Sequence, residues 1–199
     1  MLKKLLLPTL SLVLALTLSG CQAIGTNKTA ALQITSTPEA SVFLDGKHLG
    51  KTPFFSDQLK NRQYTIKLTA GEATYTEKVK LTAGTLTVIN RELNNNFLAQ
   101  SGEVLWLEDK KSGLFVTSLP DEADIAIDGQ PKGKTPIKID NRTEGEHKVT
   151  LAKQGYLERE FAVKASNNYQ VVADVSLASQ IAKGQTAQPS PEPGPQMVL

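Results

Sequence analysis

The sequence predicts an all-β chain built as two tandem small antiparallel β-sandwich domains. Three observations lead there. Apolar residues recur at every second position in short runs separated by turn-forming residues. One block of turn residues occurs twice, 82–83 positions apart. Beyond the N-terminal segment, no stretch keeps helical periodicity over three turns.

The duplication starts with Thr35-Ser36-Thr37-Pro38, which recurs as Thr117-Ser118-Leu119-Pro120. One extra residue, Asp121 or Glu122, then shifts the offset by one. Asp45-Gly46 matches Asp128-Gly129, and Gly50-Lys51-Thr52-Pro53 matches Gly133-Lys134-Thr135-Pro136. The period is too long for a solenoid repeat, so the copies are read as separate domains.

In the first copy the alternating pairs are Leu32/Ile34, Val42/Leu44, Tyr64/Ile66/Leu68, Val79/Leu81 and Leu86/Val88. In the second they are Leu114/Val116, Ile125/Ile127, Val149/Leu151, Phe161/Val163 and Val171/Val175/Leu177. Asp-Gly after the second pair is the composition of a tight hairpin turn, where glycine supplies positive φ and aspartate caps local donors. Thr-Pro then interrupts pairing, because proline has no N–H to donate. Each unit is about 65–70 residues, a size that buries only about 60% of the unfolded chain's surface.

These residues resemble the PEGA domain, named for a Pro-Glu-Gly-Ala signature. Pro38-Glu39-Ala40 lacks the glycine, and Pro120-Asp121-Glu122-Ala123 has Glu122 in its place. The turn block is intact in both copies: Asp45, Gly46, Gly50, Thr52 and Pro53, then Asp128, Gly129, Gly133, Thr135 and Pro136. Gly155-Tyr156 completes the pattern in the second copy only. The resemblance implies small β-sandwiches displayed in the cell envelope, with glycan or protein binding and no catalytic residue.

The ends read differently. Lys3 and Lys4 precede an apolar run from Leu5 to Leu16, the layout of an export signal and too short for a comfortable membrane span. Leu18-Ser19-Gly20-Cys21 resembles the lipobox of bacterial lipoproteins. That resemblance implies a diacylglyceryl group on the Cys21 thiol, cleavage before it, and stable anchoring by two acyl chains. Gln22, rather than aspartate, implies the outer membrane in a diderm cell. In a monoderm it implies the external face of the plasma membrane. At the far end four of the ten prolines alternate between positions 189 and 195, which suits a disordered tail. The expected division is thus a signal at 1–20, a lipidated tether at 21–31 and a first domain at 32–95. A joining segment at 96–113, a second domain at 114–178 and the tail at 179–199 follow.

The chain has 199 residues, a net charge of +2 and one cysteine. One cysteine excludes an internal disulfide. Removing Lys3 and Lys4 from the 22 basic residues leaves 20 against 20 acidic ones, a balance unlike that of a nucleic-acid-binding domain.

Gly46 to Thr52 and Gly129 to Thr135 look like phosphate loops, but the glycine spacing is one residue short and proline follows each threonine. His48 and His147 are not equivalent and lack companions at metal spacing, so each reads as a solvated or edge histidine. No nucleophile–base set stands out, and the expectation is a non-enzymatic protein without cofactor or metal. Trp106, Phe43, Phe115 and Tyr156 are candidate sugar-facing aromatics, and Lys51 and Lys134 candidate contacts to anionic envelope polymers. The expected partners are the membrane through the lipid and a glycan or envelope protein. A structural stalk or interaction scaffold is the alternative, and an envelope enzyme accessory ranks behind both.

Overall fold

A computed structural model describes residues 28–109, 111–140, 144–165 and 168–185. The first copy runs β1 (Ala30–Thr37), β2 (Ser41–Leu44), β3 (Lys47–Lys51), β4 (Phe54–Leu59), β5 (Gln63–Ala70), β6 (Ala73–Lys80) and β7 (Leu86–Glu92). A short 3-10 helix, Phe97–Ala99, leads into β8 (Ser101–Asp109). The second copy repeats the series as β9 (Gly113–Leu119), β10 (Asp124–Ile127), β11 (Gln130–Lys134), β12 (Ile137–Ile139), β13 (Gly145–Ala152), β14 (Arg159–Ala165) and β15 (Tyr169–Ser176). A one-and-a-half-turn helix, α1 (Gln180–Gln185), follows. The fold is all-β, as expected.

The strands form three sheets. One has seven strands in the order β12-β9-β15-β8-β7-β1-β4, and two have four, β3-β2-β5-β6 and β11-β10-β13-β14. Pairing is antiparallel except for β1 with β7 and β9 with β15, which run parallel. The two copies therefore share one long sheet, and β8 is its middle strand.

Side chains alternate across a strand, so β8 faces two cores. Val104 and Trp106 pack with Leu32, Ile34, Ile66 and Leu68 of the first copy. Leu105 and Leu107 pack with Leu114, Val116, Val149 and Leu151 of the second. The two small sheets thus cover opposite faces of the long one. Fully burying each such aliphatic side chain contributes about 1.5–3 kcal/mol.

The repeated turn block is explained by backbone geometry. Asp45 and Gly46 have φ of 49° and 80°, and Asp128 and Gly129 have 51° and 76°. Positive φ at both central positions is the type I′ hairpin, whose twist matches its strands. Each aspartate also accepts a backbone N–H from the strand paired on the other side of the hairpin, Thr65 of β5 at 2.8 Å and Lys148 of β13 at 2.9 Å. Thr52 and Thr135 are buried hubs. Their hydroxyls accept from the N–H of Ala40 and Ala123 and bond to Ser36 and Ser118. The X-Pro bonds at Pro38, Pro53, Pro120 and Pro136 are cis.

Several expectations need correction. The joining segment is no simple connection, because Val104-Leu105-Trp106-Leu107 is apolar on both faces and suits a strand covered on both sides. The first strand starts at Ala30, inside the expected tether, since Ala30 continues the buried alternation of Leu32 and Ile34. Residues 180–185 form α1 instead of opening the tail, and Ala182 is buried. The inward face of β7 is Thr87, Ile89 and Arg91, not Leu86 and Val88. Val88 is paired with Leu105 and so faces the other copy's side.

Candidate functional site

A cavity of about 480 Å³ lies on the first copy's face of the long sheet. It exists because the long sheet extends past β6, the free edge of the first small sheet. Trp106 on β8 and Asp174 and Ser176 on β15 line it from the long sheet. Tyr75 and Glu77 line it from β6, and Arg91 enters from β7. Strands of both copies are therefore needed to build it.

Arg91 is the unusual member. It is 4% exposed, yet among the described residues it makes no ion pair. Its guanidinium carbon sits 4.1 Å above the centre of the Tyr75 ring, a cation–π contact. One terminal nitrogen donates to Ser176 Oγ at 3.3 Å. Its Nε is buried without an acceptor. Burial lowers the guanidinium pKa from its usual value, the neighbouring Arg159 acts the same way, and Tyr75, Glu103 and Glu77 oppose it. Burial also pushes the Tyr75 phenol up to about 12. The aliphatic stem of Arg91 passes over Gly102, where a Cβ would lie 2.8 Å from Arg91 Cδ and 2.1 Å from the Asn90 carbonyl oxygen.

At the matching place the second copy carries different residues. By strand register Tyr75 corresponds to Arg159, Glu77 to Phe161 and Arg91 to Val175. Phe161 is buried in the second core where Glu77 is exposed. Arg159 is paired twice, its Nε donating to Glu103 at 2.8 Å and its Nη1 to Glu92 at 2.7 Å. Lys183 of α1 reaches the second oxygen of Glu92 at 2.8 Å.

Of the aromatic candidates, only Trp106 lines this cavity. Phe43 lies on the outer face of β2 with its ring 5.0 Å from that of His48. Phe115 is on β9, paired with Val172 and Lys138. Tyr156 lines a second cavity of about 300 Å³ with Phe97, Leu98 and Leu119. The lysines serve their own hairpins: Lys51 pairs with Glu39 at 2.7 Å, and Lys134 with Asp124 at 2.6 Å. His147 is no solvated histidine. Its side chain is 11% exposed, and its Nδ1 lies 2.7 Å from Asp128 Oδ2. Among the described residues no group of three His, Cys, Asp or Glu side chains could hold a metal ion. Cys21 lies outside the described residues.

Sequence reasoning missed Arg91, Tyr75, Glu77 and Asp174. The one available signal was a charged residue at a period-2 inward position of β7, two beyond Ile89. No curated protein and no solved structure matches the chain. The PEGA domain model matches residues 29–96 and 111–178, with β8 spanning the gap between the two matches and both partner sheets inside them. The chain belongs to the PEGA domain family, and carries two copies of that domain.

Proposed function

We propose that the protein is a lipid-anchored, non-enzymatic module of the bacterial cell envelope that binds envelope components, with glycan the favoured ligand class. The observation that carries this reading is the cavity between the copies, where an indole, a buried guanidinium and three carboxylates meet in a site of small-ligand size. Tandem PEGA domains, often found in extracytoplasmic proteins, support the location. The segment ending in Leu18-Ser19-Gly20-Cys21 supports the anchor. Metabolic labelling with a fatty-acid analogue tests the anchor: wild type takes label and Cys21→Ser does not, whereas equal labelling refutes it. Sedimentation of the purified chain with envelope polymer tests the binding role. Co-sedimentation at low salt is expected, and its absence sinks the reading.

A protein scaffold is the second reading. It is favoured by Phe97, Leu98 and Leu119, each at least 60% exposed around the second cavity. Such a patch suits a protein contact. Crosslinking in cells that captures one discrete partner through this patch supports it.

A further inference from the structure

We propose that the cavity beside β8 binds a sugar bearing a single carboxylate, with Arg91 holding the carboxylate and Trp106 lying against the ring. The proposal rests on the glycan reading above and names the chemistry of its ligand.

Arg91 sets the charge. A buried cation with no anionic partner is unfavourable, because desolvation is not offset by ion pairing. Arg91 has a cation–π contact and one bond to a neutral hydroxyl, and its Nε lacks an acceptor. Guanidinium geometry matches a carboxylate with two parallel bonds. The equivalent end of the second copy shows what satisfaction looks like. Ser176 of the second copy holds the position that corresponds to Glu92 of the first, so Arg91 meets a hydroxyl where Arg159 meets a carboxylate. The ligand supplies that carboxylate in the first copy.

The remaining walls set the rest of the ligand. Trp106 offers an apolar face to the C–H face of a sugar ring. Glu77, Asp174 and Glu108 (the last paired with Lys111) accept hydrogen bonds and donate none when ionised, so they suit hydroxyl groups and repel further negative charge. Together these select one carboxylate on an otherwise neutral, hydroxyl-rich molecule. Lys78 and Lys80 at the rim favour approach of an anion.

An extended peptide added to the free edge of β6 fits less well. Gln100 Nε2 donates to the Thr74 carbonyl at 3.1 Å, which occupies that edge at its Tyr75 end. Lys78 and Lys80 project beside the rest of the edge, a common protection against strand addition.

Trp106 is the chain's only tryptophan, so its emission reports the site directly. The detergent-purified full chain is titrated with D-glucuronate and N-acetylmuramate, and with neutral D-glucose and N-acetylglucosamine. The acidic sugars are expected to change Trp106 emission saturably, with the neutral sugars at least tenfold weaker. Arg91→Gln is expected to weaken the acidic response at least tenfold while far-UV circular dichroism is unchanged. If Arg91→Gln does not fold, Arg91→Lys serves, and a several-fold loss is expected because the planar fork is gone. The proposal is overturned if neutral sugars bind equally, if the folded variant binds as wild type does, or if only an acidic peptide moves the emission. It also fails, with the envelope reading intact, if no sugar responds while the chain still co-sediments with envelope polymer.

Discussion

Arg91 and Arg159 stand in the two copies of one architecture, and their surroundings are opposite. Arg159 is a structural cation: Glu103, whose side chain is 4% exposed, and Glu92 both bind it, and Phe161 closes the core beside it. Arg91 is as buried but has Tyr75 and Ser176 instead of carboxylates, and exposed Glu77 stands at the position of Phe161. One copy has spent its inner face on closing a core. The other has left it open against the shared sheet.

Substitutions that break this contrast should differ widely in size. The largest effect is expected from Arg159→Met, which leaves Glu103 as an uncompensated buried charge and costs about 3–5 kcal/mol in urea unfolding. Gly102→Ala comes next. Its backbone has φ of +147° and its Cβ would press on the Asn90 carbonyl, so loss of about 2–3 kcal/mol is expected. It would part β7 from β8 where Arg91 lies, and Trp106 emission should shift with it. Glu122→Gly should instead stabilise, by about 0.5–1 kcal/mol. Glu122 has φ of 54° and stands where the family signature carries glycine, and the first copy lacks this residue. The smallest effect concerns acid. Glu92 has a pKa lowered from 4.5, first by the hydrogen bond from Lys183, then by its charge and that of Arg159, against an opposing burial penalty. A carboxylate with a lowered folded pKa stabilises above its unfolded value, and that stability is lost as pH falls through the folded one. The urea midpoint of wild type should therefore drop below about pH 4.5 more steeply than that of Glu92→Gln.

Much of the fold was legible because its signals are local. Asp45-Gly46 and Asp128-Gly129 specify a turn type through two dihedrals, and Tyr64/Ile66/Leu68 specify a half-buried strand through alternation alone. β8 was hidden by its place outside both copies, although a run apolar on both faces is what a strand covered on both sides requires. The phase of β7 was misread because its inward residue at 91 is charged, and a period-2 pattern is read from apolar positions. Trp106 was legible as a candidate. Its companions were not, because β6, β7, β8 and β15 meet only through sheet order. Lys51 and Lys134 misled for the opposite reason: their partners Glu39 and Asp124 lie across a hairpin, and a charge pattern read along the chain does not reveal pairing.

Equilibrium urea unfolding of Arg91→Met, run beside Arg159→Met, tests most directly whether the first copy keeps its buried arginine for binding. Methionine retains the apolar stem and removes the unpaired charge. Arg91→Met should be more stable than wild type, or weaker by no more than about 1 kcal/mol, the worth of the lost cation–π contact, while losing the response to acidic sugars. A loss of stability equal to that of Arg159→Met would make Arg91 a structural cation like Arg159 and contradict the account.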